Sequence, residues 1–103
     1  MVGFSSRISE AELKVLRNIS LIEVLDYLGF SWVEDQEFHP RKNQDTRRII
    51  VELGDSSRKF VITGLRWQEV ETLQGGGGAI DFVMYLLDVN FLEAVRKLSR
   101  MVK

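Results

Sequence analysis

The chain contains no cysteine, which removes both a disulfide framework and thiolate metal sites from consideration. It has one histidine, His39, next to its single proline, Pro40. A structural zinc site needs four ligands, usually with soft sulfur among them, so this composition does not supply one. A lone histidine beside a proline also gives no positioned base, and no serine, histidine and acid arrangement accompanies it. No second carboxylate stands at a spacing that suggests two-metal chemistry. We therefore expect no cofactor, no metal and no catalytic activity from the chain alone. No apolar run approaches the roughly 18 residues of a membrane span. The opening "MVGFSSRISEAELK" lacks the uninterrupted apolar block of a signal peptide. The expectation is a cytoplasmic protein of bacterial type with no membrane partner.

What is present fits one small domain. A chain of 103 residues is long enough for a single core and buries roughly two-thirds of its unfolded surface. Residues 1–8 are expected to form a flexible lead. The formal net charge of -1 argues against a surface that binds nucleic acid all over, but the charges are unevenly spread. Ser9 to Asp35 holds six acidic and two basic residues, whereas Gln36 to Arg66 holds seven basic and four acidic ones. The middle of the chain is locally positive.

Helical signals flank that middle. Ser9 with Glu12, and Ser20 with Glu23, have the form of capping boxes, each followed by an apolar stripe. They predict a helix over Glu10–Asn18 and a second that ends at Gly29. The polar stretch "FSWVEDQEFHPRKNQDT" reads as a short strand and a long exposed loop. "RRIIVEL", "RKFVIT" and "LRWQEV" follow as three strand-like runs joined by short turns, the spacing of antiparallel hairpins. Alternation puts Ile49, Val51 and Leu53 on one face with Phe60 and Ile62. Arg48, Ile50 and Glu52 share the other with Lys59, Val61 and Thr63, joined by Arg66 and Gln68 if the third strand is in register. After the glycine run, "AIDFVMYLLD" and "NFLEAVRKLSRMVK", the latter capped by Asn90, predict two core helices. The fold class is α+β: a small antiparallel sheet flanked by two N-terminal and two C-terminal helices.

The glycines Gly75 to Gly78 admit two readings. They could be a flexible entry that lets strand and helix pack closely, or a backbone phosphate contact through Gly76, Gly77 and Gly78. "GGGGAID" is not a Walker A sequence, because neither lysine nor Ser/Thr follows the last glycine, and it does not fit G-x-G-x-x-G either. Asp81, at the helix start, reads as a structural residue that complements the helix dipole.

A strand containing an aromatic, then glycines, then "AIDFV", then "FLEAVRKL", resembles the C-terminal half of the N-terminal zinc-binding domain of bacterial DNA primases. Related primase-like and relaxase-associated segments of mobile genetic elements show the same pattern. "LIEVLDYLGF" at Leu21 to Phe30 is similar to the helix that opens those domains. The resemblance implies a zinc-ribbon-like sheet with a buried acidic position in "AIDFV", and a sheet surface that engages template DNA. It departs where the family places its ligands: the corresponding neighbourhoods read "VELGDSS" and "RWQEVETLQGGGG", without cysteine. The implied module is metal-free, with Leu53, Val70 and Leu73 holding together what zinc holds in its relatives.

The basic face then carries the functional expectation. Arg48, Lys59 and Arg66 interleaved with apolar side chains suit single-stranded DNA, whose phosphates take cations and whose bases stack on flat surfaces. The alternative for the same residues is an ordinary solvated sheet face. Trp67 or Phe60 would offer stacking surface if exposed, Arg58, Arg41 and Lys42 would extend the track, and Trp32, Phe38 and Tyr85 read as core or interface residues. The expected role is a non-catalytic single-stranded DNA-binding module that works with a polymerase, primase or helicase partner. The alternative is a subunit that docks onto a replication polymerase or primase without binding DNA.

Overall fold

In the computed structural model, which describes residues 8–40 and 45–102, helix α1 spans Glu10–Arg17 and α2 spans Leu21–Leu28. Ser9 closes a full capping box with Glu12, whereas Ser20 caps α2 by accepting the Glu23 N–H. The expected lead lies outside the described residues except for Ile8, which packs against the core.

Five strands follow as an antiparallel meander in the order β1-β2-β3-β4-β5. They are β1 (Trp32–Glu34), β2 (Arg47–Leu53), β3 (Ser56–Thr63), β4 (Arg66–Glu69) and β5 (Gly75–Gly77). Leu53 pairs with Ser56 and Thr63 with Arg66, so each central hairpin turns on two residues. The first of each two is a glycine at positive φ, Gly54 at 68° and Gly64 at 62°. Mirror-image hairpin turns demand that conformation there, and it matches the twist of the flanking strands. Ser56 and Ser57, expected in the turn, belong to β3.

The glycine run departs from the expected flexible entry: Gly75–Gly77 is a strand, paired with β4. Glycine has low strand propensity and no side chain to alternate, so no periodic signal marks it. Helices α3 (Ala79–Leu87) and α4 (Phe91–Met101) complete the fold. Asn90 caps α4 by accepting the Glu93 N–H at 2.9 Å.

The strand register confirms the expected faces. Ile49 stands opposite Phe60 and Ile62 opposite Trp67, while Arg48 faces Val61 and Ile50 faces Lys59. Ile49, Val51, Phe60, Ile62 and Trp67 join Leu13, Leu16, Val24, Phe82, Val83 and Leu98 in one buried cluster. The helices therefore lie on a single face of the sheet. Phe60 sits at the centre of an edge-to-face aromatic group, 5.4 Å from Phe82 and 6.2 Å from both Trp67 and Tyr85.

Two details of the implied metal-free core need correction. Leu73 is 66 % exposed, with φ at 64°, and holds nothing together, while Leu53 packs at the margin of the core. Asp81 is exposed, so the acidic position in "AIDFV" is not buried.

Candidate nucleic-acid interface

No helix among the described residues lies over the other sheet face. Its side chains come from β1 to β4: Val33, Arg48, Ile50, Glu52, Ser57, Lys59, Val61, Thr63, Arg66 and Gln68, every one exposed or half-buried. Val33 is 58 % exposed although it is aliphatic and sits in a sheet. Ile50 and Val61 lie half-buried between the cations. Lys59 and Arg66 are exposed and make no ion pair among the described residues. Lys59 and Arg48 sit diagonally across β2 and β3, where side chains are about 7–8 Å apart.

Arg48 is on this face but is already engaged. Its Nε donates to Asp35 Oδ2 at 2.7 Å, and its guanidinium stands 5.1 Å from the centre of the Phe38 ring. The Asp35 carboxyl is held below the usual carboxylate range. The Glu37 backbone N–H that it accepts is the largest cause; burial works the other way, and Arg48, with the more distant Lys59 charge, adds to the lowering. Beside it, Glu34 is lowered mainly by its hydrogen bonds from Arg47, which also lies 5.7 Å over the Trp32 ring. The Trp32 indole N–H donates to Asp26, which ties the β1 edge to α2.

Three expected contacts fall elsewhere. Trp67 is only 5 % exposed and points into the helices, and Phe60 is fully buried, so neither offers a stacking surface. The period that puts Arg66 and Gln68 on the bare face puts Trp67 on the covered one. Trp67 Nε1 is buried without a hydrogen-bond acceptor among the described residues. Arg58 stands opposite Val51, on the helix side, where its guanidinium lies 5.8 Å over the Tyr85 ring and 3.9 Å from Glu69 Oε2. Arg41 and Lys42 lie outside the described residues.

That side of the molecule holds a polar knot that the sequence did not announce. Glu69 is buried and accepts hydrogen bonds from the Tyr85 hydroxyl and from Thr72 Oγ1, the latter at 3.2 Å. It ties the end of β4 to α3. Its partners lie far along the chain, and local spacing does not reveal them.

At the β5 end the bare face dips into a shallow groove of 310 Å³ lined by Val61, Thr63, Arg66, Gln68 and Gly75, with Trp67 and Gly76 completing its wall. A side chain at Gly76 would point to the helix side, where an added Cβ would stand 3.2 Å from Asp81 Oδ2. Gly78 is buried, and its N–H is given to the Leu65 carbonyl at 2.7 Å. Neither is placed to receive a phosphate: one side is guarded by a carboxylate, and the other donor is taken. Among the described residues no group of histidine, aspartate and glutamate could hold a metal ion, and no helix is long and apolar enough to cross a membrane.

Comparison with protein-family models, with curated proteins and with solved structures finds no match to this chain.

Proposed function

We propose that the chain is a primase-like, metal-free module that binds single-stranded DNA on its uncovered sheet face and positions it for a polymerase, primase or helicase partner. The observation that carries the reading is the combination of exposed Lys59 and Arg66, which make no ion pair among the described residues, with half-buried Ile50 and Val61 on a sheet surface that no described helix covers. Cations there serve phosphates, and the aliphatic floor between them serves bases, for which sequence-tolerant contact matters more than hydrogen-bond readout. A duplex offers no unstacked base to such a floor. Arg48, held by Asp35, shapes the face and contributes charge at its margin.

The test is fluorescence anisotropy of a labelled single-stranded oligonucleotide, titrated with the protein at several salt concentrations. Log affinity should fall with log salt by about 0.7 for each phosphate neutralised. The Lys59→Ala/Arg66→Ala pair should lose about two such increments. Absence of retention at low salt by the folded wild type would overturn the reading and favour the docking subunit. In that case the partner is to be sought among replication polymerases and primases.

A further inference from the structure

Three of the four glycines before α3 are explained by the fold. A Cβ on Gly75 would stand 2.6 Å from the Trp67 carbonyl oxygen, and one on Gly76 would meet Trp67 Cζ2 at 3.1 Å as well as Asp81. Gly78 has φ at 93° and lies against the Arg17 carbonyl, 3.2 Å from where its Cβ would be. Gly77 has no such reason. Its φ is outside the left-handed region, and an added Cβ would meet nothing within 4 Å. A strand glycine without an internal cause weakens the strand and marks a place where something approaches closely from outside.

The pairing shows what is offered there. Leu65 and Gly78, and Glu69 and Gln74, are joined by backbone hydrogen bonds, so alternation makes Trp67 and Gly76 a bonded pair. Gly77, opposite Arg66, then falls at a non-bonded position. Its N–H points away from β4 to the open edge of the sheet, since β5 is the last strand. At such positions the two Cα atoms are only about 4.5 Å apart, and Arg66 rises from the bare face beside the bare glycine. An edge N–H beside a guanidinium that makes no ion pair among the described residues offers the two donors an anion site needs. Asp81 closes the helix side of the strand to anions, which leaves the Arg66 side as the approach.

We propose that Gly77 lacks a side chain so that a phosphate of the bound single strand can settle at the β5 edge, held by the Gly77 N–H and the Arg66 guanidinium. The nucleic acid would leave the sheet face at this corner. This inference rests on the single-strand reading above and deepens it by fixing one end of the track.

The test pairs stability with binding. Gly77→Ala and Gly77→Val are measured for thermal unfolding and for anisotropy of the labelled oligonucleotide, with Arg66→Ala and Gly78→Ala alongside. Gly77→Ala should melt at or above the wild-type temperature, whereas Gly78→Ala should melt lower. Gly77→Val should weaken binding about tenfold, the scale of losing one hydrogen bond to a charged group. It should also make the salt slope shallower by about 0.7. Combined with Arg66→Ala it should cost less than the sum of the two, because both act on one phosphate. Wild-type affinity and slope in folded Gly77→Val, with Arg66→Ala weakened, would overturn the edge site and leave the sheet face standing. A lowered melting temperature in Gly77→Ala would also overturn it, by revealing an internal need for glycine. Failure of the wild type to bind would overturn both readings.

Discussion

Phe60 and Val61 are neighbours in β3, yet they belong to different molecules in all but connectivity. Phe60 is fully buried among aromatic rings from β4 and α3, whereas Val61 is half-buried on a face that no described helix covers. The two faces of one sheet thus divide the work. The covered face supplies the hydrophobic stabilisation, and the bare face keeps apolar surface next to charge at a cost in exposed area.

The division can be broken most forcefully at Phe60. Phe60→Ala should lose about 3–5 kcal/mol by deleting a buried aromatic and leaving a cavity. Val61→Thr should lose less than about 1 kcal/mol, since the site is open to water. Urea denaturation of the pair, one residue apart, measures the contrast directly; equal losses would mean that the bare face is covered in solution.

A smaller effect is expected at the polar knot behind the covered face. Tyr85→Phe removes a donor from the buried Glu69 carboxylate, and leaving such an acceptor short costs about 1–3 kcal/mol. The value should fall toward the lower end because Thr72 still donates. Thermal unfolding of Tyr85→Phe beside Thr72→Val would show whether the two hydroxyls are coupled.

The smallest stability effect lies on the bare face and sharpens the comparison by its sign. Asp35 titrates below the usual carboxylate range in the folded protein. Its contribution to stability is therefore full above the unfolded value and disappears as pH falls through the folded one. Asp35→Asn should flatten that acid limb of the stability profile. The same substitution releases Arg48 from its partner, so single-strand affinity should rise at neutral pH as stability drops slightly. A parallel fall in both would show that Arg48 acts only through its geometry.

How much of this could be read beforehand differs by element. Alternation in "RRIIVEL" and "RKFVIT" assigned both faces as the register has them, because a one-residue slip would have moved Ile49 and Phe60 into water together. The same period already assigned Trp67 to the covered face and Arg58 to the row of Phe60. Both were drawn toward the site by residue type, an aromatic for stacking and a cation for phosphate, rather than by position. β5 was missed because glycine carries no pattern. The Arg48–Asp35 pair and the Glu69–Tyr85 bond join residues 13 and 16 positions apart across elements, and only the fold brings them together.

The order of the strands also bears on how the chain reaches this structure. Every strand pairs with its neighbour in sequence, so the sheet can zip up from local hairpins, each a matter of about 1–10 μs. The contacts of α1 with α3 and α4 span nearly the whole described chain and close a far larger loop. Topology therefore predicts the sheet as the earlier part to form and the helical layer as the later one. A half-folded molecule would show its bare sheet face already formed while its core still lay open.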